Sequence, residues 1–272
     1  MIVPTMSYPE IYRVLENAAP KIRYKTEQLR PKVVKYFTRE VWNYPAWKTF
    51  EYTIPATNDT YVIFFYADNA GAAEKPVAGA FCYLRHWNPW QVMLISEMAP
   101  ELLALPLGIK FLFTYTSHFF DRYRERLLKN PSLTIMDSIC RFFSSNYLMF
   151  NLCEPDNRLW TAMMDEDTQE RIDGRCALQL RDGLELAQAW ESRMPGKSES
   201  DLPDMIAFKA LTFISRDMYF SDQSDSSAEH AVELGRSYLR ALDKRPVDPK
   251  DFAEIMRRNS LRMQVEDLES TL

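Results

Sequence analysis

Residues 49–84, TFEYTI-PATND-TYVIFFYA-DNAGAAEKP-VAGAFCYL, hold three runs dense in aromatic and β-branched side chains, at 49–54, 60–67 and 77–84. Asn58-Asp59 and Asn69-Ala70-Gly71 supply turn signals between them. Connections this short leave room only for antiparallel neighbours, so the stretch predicts a β-meander. Downstream, 91–96 reads as a further strand and 100–105 as a short helix, followed by the apolar run 109–115. Upstream, Ile11, Val14, Leu15, Ala18, Ile22, Leu29, Val33, Val34 and Phe37 recur mostly at three- and four-residue steps, which is helical spacing. Pro20 and Pro31 each remove a backbone N–H and restrict the residue before them, which predicts consecutive helices rather than one. On that helical segment Lys21, Lys25, Lys32 and Lys35 are expected to face solvent while Ile22, Leu29 and Val33 face the core.

Beyond residue 115 the period changes again. Thr116-Ser117 offers a hydroxyl cap for a helix, with Asp121 expected in its first turn. A second helix is predicted over 133–144, its buried stripe made of Met136, Ile139, Cys140 and Phe143. Strands are predicted at 147–153, 159–164, 175–180, 184–190 and 206–214, with Asp182-Gly183 the best tight-turn signal among them, although 184–190 also fits a helix. Residues 195–203 read as an exposed loop, 222–227 as a polar connection, and 228–242 and 249–268 as amphipathic helices. Strands and helices come in blocks without regular alternation, so the fold class expected is α+β, a mostly antiparallel sheet flanked by N-terminal, central and C-terminal helices. The corresponding segments are 1–44, 45–115, 116–220 and 221–272, compatible with one compact domain.

Composition narrows the function classes. In 272 residues there are only seven glycines, and no G-x-G-x-x-G or Walker-type phosphate loop occurs. The four cysteines, Cys82, Cys140, Cys153 and Cys176, never form C-x-x-C and read as buried free thiols. No H-E-x-x-H spacing or other metal pattern is present, and the serine-hydrolase elbow G-x-S-x-G is absent, so no metal and no cofactor are expected. The first residues lack a charged segment followed by an apolar one, and the most apolar stretch, 98–120, is broken by Pro100, Pro106, Gly108 and Lys110. The expectation is a cytoplasmic protein without membrane spans. The net charge of −5 excludes a uniformly nucleic-acid-binding surface, yet between Arg13 and Arg39 the eight basic residues Arg13, Lys21, Arg23, Lys25, Arg30, Lys32, Lys35 and Arg39 stand against only Glu16 and Glu27.

One constellation carries chemistry. In Thr116-Ser117-His118-Phe119-Phe120-Asp121-Arg122-Tyr123-Arg124-Glu125-Arg126, the residues His118, Arg122 and Arg126 fall at i, i+4 and i+8 and share one helical face. A neutral imidazole on a cationic strip can serve as a base, and two guanidiniums beside it can hold a phosphodiester and stabilise charge that develops on attack. The competing reading is an exposed helix face whose arginines pair with Asp121 or Glu125 and whose histidine only serves a cap. His86 lies among aromatics in Arg85-His86-Trp87-Asn88-Pro89-Trp90, where packing on the core is the simpler reading. His230 between Glu229 and Glu233, and the run Asp165-Glu166-Asp167, read as solvated surface.

The order Ser-His-Phe-x-x-Arg-Tyr-x-x-Arg, a second short helix, antiparallel strands and a final strand ending Leu211-Thr212-Phe213-Ile214-Ser215 resembles small ribonuclease toxins of the RelE, BrnT and barnase-like group. Some branches of that group carry a Ser-His-Ala-x-x-Arg-x-x-x-Arg helix ahead of the sheet; here Phe119 stands in place of the small residue. The resemblance spans residues 116–215 and implies RNA-directed, metal-independent cleavage in a toxin-like or mobile-element setting, with His118, Arg122 and Arg126 catalytic and Arg124, Thr212 and Ser215 binding substrate. The rival expectation is a non-catalytic protein-binding or assembly module that uses the terminal helices and aromatic surface.

Overall fold

The computed structural model describes residues 1–100, 110–130, 132–146, 151–153, 175–193 and 204–218. Its first element is α1, Tyr8–Glu40, which begins where the Glu10 carboxylate accepts the Ser7 amide at 2.8 Å and Pro9 occupies the first turn. Contrary to the expectation of separate helices, α1 runs without a break through Pro20 and Pro31. Each internal proline costs about 3 kcal/mol. Both rings lie on the exposed side, where the carbonyls they free can be hydrated. The opposite side buries Ile11, Leu15, Ile22, Val33 and Phe37, each worth about 1.5–3 kcal/mol, so packing outweighs the two defects. Lys21, Lys32 and Lys35 are exposed and Lys25 is half-buried, as the spacing predicts.

Strands β1 (Ala46–Ile54), β2 (Asp59–Ala67), β3 (Val77–Leu84), β4 (Gln91–Ile95) and β5 (Lys110–Thr116) form the meander, each antiparallel to the next. After β5 come α2 (Ser117–Tyr123), a π-turn over Arg124–Leu128, and α3 (Ile135–Asn146), which starts two residues later than predicted because Thr134 and Asp137 cap each other's end of the first turn. The chain then adds β6 (Asn151–Cys153), β7 (Arg175–Gln179), β8 (Gly183–Ser192) and β9 (Met205–Ser215). All nine strands belong to one sheet in the order β1-β2-β3-β4-β5-β9-β8-β7-β6. Among the described residues only the β5–β9 pairing is parallel; it joins the two antiparallel halves. The predicted strand at 159–164, the short helix at 100–105 and the two C-terminal helices lie outside the described residues. With its N-terminal and central helices on a mostly antiparallel sheet, the fold is α+β.

The sheet is covered on both faces. Alternation along β2 sends Ile63 and Phe65 toward α1, together with Ala80, Cys82, Met93 and Ile95. Val62 and Phe64 go to the other face with Phe81, Val92, Leu94 and Phe113, where Phe119, Phe120 and Tyr123 of α2 and Ile139, Phe142 and Phe143 of α3 pack. This double burial explains why β2 reads as a continuous apolar run. Phe119 meets Phe142 edge-on at 5.1 Å and Tyr123 meets Phe213 of β9 at 5.0 Å, fixing α2 against the last strand. No described helix is long and apolar enough to cross a membrane.

Candidate functional site

The Thr116 hydroxyl accepts the Phe119 amide at 3.4 Å and starts α2 directly at the end of β5, which sets the direction of the helix. Asp121, expected in the first turn, sits at the fifth helical position and pairs with Arg124 at 3.4 Å. Burial of Phe119, Phe120 and Tyr123 turns the remaining face outward, and that face carries His118, Arg122 and Arg126. The three do form a strip. His118 is exposed, makes no hydrogen bond among the described residues, and has its pKa lowered first by partial desolvation and then by the charges of Arg122 and Arg126, against the opposing pull of Asp121 and Glu125. The imidazole is therefore neutral at pH 7.

The two arginines differ. Arg122 pairs with Glu125 at 2.7 Å on the open surface, an arrangement worth only a few tenths of a kcal/mol that a phosphate oxygen can replace. Arg126 lies beyond the α-helical part of α2, in the π-turn, and donates from Nη1 to the Phe213 carbonyl of β9. That bond anchors the end of the strip to the sheet.

There the surface opens into a cleft of about 370 Å³ between the end of the π-turn, the 180–183 turn and the end of β9, lined by Arg126, Lys129, Arg181, Asp182, Ser215, Arg216 and Asp217. The 180–183 turn is held from below. The Tyr123 hydroxyl donates to Asp182 Oδ2 at 2.8 Å, Asn146 Nδ2 donates to the same oxygen at 3.1 Å, and the Asp182 amide donates back to Asn146 Oδ1 at 3.1 Å. Ser215 donates to Asp217, and Lys129 reaches the other Asp217 oxygen at 3.2 Å.

Of the substrate-binding residues expected from the sequence, Ser215 joins Arg126 in this cleft. Arg124, two positions from both Arg122 and Arg126, leaves the helix on a different side and is engaged by Asp121. Thr212, next to Phe213 in the strand, falls on the sheet face opposite α2. Lys129, Arg181 and Arg216 were not singled out by sequence reading. They become neighbours only because β8 and β9 pair antiparallel with Gly183 opposite Ser215, which places the residues just before one strand and just after the other side by side. His86 lies in the exposed β3–β4 connection, whose Trp90 stacks on Phe120 at 6.0 Å, so that turn is packed on the core. Cys82 and Cys140 are buried free thiols, and their pKa values are raised by desolvation. Among the described residues no three His, Cys, Asp or Glu side chains gather as metal ligands would. Comparison of the chain with models of known families, with curated proteins and with solved structures gives no match.

Proposed function

We propose that the chain binds RNA along the exposed face of α2 and cleaves it without a metal ion. The observation that carries the reading is the continuity of His118, Arg122 and Arg126 with a cationic cleft at the end of the sheet. In the reaction, neutral His118 accepts the proton of a 2′-hydroxyl, the 2′-oxygen attacks the adjacent phosphorus, and the bond to the 5′-oxygen breaks. The products are a 2′,3′-cyclic phosphate and a 5′-hydroxyl end, the leaving oxygen taking its proton from water. Arg122 and Arg126 stabilise the added negative charge on the phosphoryl oxygens in the transition state. The test is cleavage of single-stranded and structured RNA in EDTA by the purified protein and by His118→Ala, Arg122→Ala and Arg126→Ala. Each variant is expected to keep its melting temperature within a few degrees and to lose activity by about tenfold to a thousandfold. A wild-type protein that neither binds nor cuts RNA sinks the proposal.

A second reading, a protein-binding module, is favoured by Trp42, 87 % exposed just past α1, and Tyr24, 69 % exposed on it. It is supported if Trp42→Ser abolishes association with a protein partner while RNA assays stay blank.

A further inference from the structure

Four cationic side chains, Arg126, Lys129, Arg181 and Arg216, and two carboxylates, Asp182 and Asp217, face the cleft beside α2. Asp182 is occupied by Tyr123 and Asn146. Asp217 is held ionised at neutral pH, its pKa lowered by the Ser215 hydroxyl and by Lys129. Both carboxylates are thus already engaged by the protein's own groups, and the cleft is lined mainly by cationic side chains in a chain whose net charge is −5. Arg181 is exposed and makes no ion pair among the described residues.

The backbone that delivers Lys129 is unusual. The helix widens into the π-turn of residues 124–128, a feature that concentrates at functional positions, and Lys129 then takes φ +46° with its amide on the Arg124 carbonyl at 3.0 Å. Left-handed backbone is disfavoured for any residue with a Cβ, and a helix that only needed to stop would carry Gly or Asn there. A lysine there is favoured by the negative end of the helix dipole, and it also brings an ammonium to the mouth of the cleft, where it pairs with Asp217.

We infer that the cleft receives a phosphate monoester, the terminal phosphate of a nucleic-acid strand. A terminal phosphate carries about −1.5 to −2 charge at pH 7 and three strong acceptor oxygens, which suit a lining of several cationic donors, the exposed fork of Arg181 and the ammonium of Lys129 among them. An internal diester brings one charge and two free oxygens and engages fewer of these donors. That the attached strand is RNA rests on the function proposed above; the phosphate site itself rests on the cleft.

The experiment is calorimetric titration at fixed ionic strength with inorganic phosphate and with one RNA hexamer carrying a 5′-phosphate, a 3′-phosphate or neither. Proteins compared are the wild type, Lys129→Gly and Arg181→Gln. A phosphorylated end is expected to tighten binding about tenfold, and the arm that gains identifies which terminus enters. The gain should fade below pH 6 as the monoester takes up a proton. Lys129→Gly should lose the gain while its melting temperature holds or rises, since glycine accepts φ +46° without strain. Arg181→Gln, altered only at an exposed turn side chain, repeats the test should the glycine variant fold poorly. Equal affinity for phosphorylated and plain hexamers, or variants that retain the preference, overturns this inference and leaves the RNA reading standing. Inorganic phosphate bound through Lys129 by a protein that ignores every hexamer overturns the nucleic-acid terminus as the occupant of the cleft and removes the RNA reading as well.

Discussion

Glu185 is fully buried in β8 on the face that packs against α2 and α3, and among the described residues neither of its carboxylate oxygens has a hydrogen-bond partner. The Tyr115 hydroxyl lies close enough to favour the charged form somewhat, yet it too is unpartnered in hydrogen-bonding geometry. Desolvation dominates, and the carboxyl is pushed up to about 8 from an ordinary value of 4.5. A carboxyl that binds its proton more tightly when folded stabilises the fold below its unfolded pKa, and this contribution drains away as pH rises through the interval up to the folded value. At about 1.36 kcal/mol per pH unit, some 3 kcal/mol is gone by pH 7 and about 5 kcal/mol above pH 8. Against a typical total of roughly 5–15 kcal/mol, that is a large share. Glu185→Gln keeps the shape and cannot ionise. Urea unfolding followed by tryptophan fluorescence from pH 5 to 9 should show the two proteins converging near pH 5, with the variant more stable by about 3 kcal/mol at pH 7 and by a correspondingly higher melting temperature, roughly 6–12 °C. Parallel stability curves across this range would refute the reasoning, because they would mean that the carboxylate is accommodated in ionised form.

Three further outcomes are expected. Gly183→Ala should destabilise by more than about 2 kcal/mol in chemical denaturation, since a Cβ there would sit 2.2 Å from the Ile214 carbonyl oxygen; an unchanged midpoint contradicts the close approach. Asp182→Ala leaves the buried Tyr123 hydroxyl and the Asn146 amide without their shared acceptor, a loss of about 1–3 kcal/mol, and Tyr123→Phe in the same background should then cost little further, as a double-mutant cycle would reveal. By proton NMR the His118 imidazole should titrate below the ordinary 6.5, and Arg122→Ala should move it back upward; a titration insensitive to both Arg122 and Arg126 would separate the imidazole from the strip.

The meander was legible because aromatic and β-branched runs of six to eight residues sit between turn residues, and β3 matches its predicted span to the residue. The unbroken α1 was not legible, because local rules weigh Pro20 and Pro31 but cannot weigh a sheet waiting on the other side of the helix. The strip on α2 could be read from spacing alone, since residues four apart on one short helix need no tertiary information. Its continuation could not. Arg181 and Arg216 are 35 positions apart in the chain, and only the register of β8 on β9 brings the Arg216 guanidinium to the Arg181 carbonyl at 2.8 Å. Thr212 and Ser215 looked equivalent at the end of a strand, but alternation separates them onto opposite faces.

The parallel seam between β5 and β9 has a kinetic meaning. Each half of the sheet is stitched from strands adjacent in the chain, as in the β3–β4 turn, whereas the seam pairs Lys110 with Met205 across about 95 positions. Closing a loop of that length costs about 4 kcal/mol in chain entropy before any contact repays it. The two halves can therefore mature separately before they join. Both α2 and the cleft beside it straddle that union, so an incompletely joined chain has neither the strip in register with the sheet nor the pocket at its end, and whatever chemistry resides there switches on only with the finished molecule.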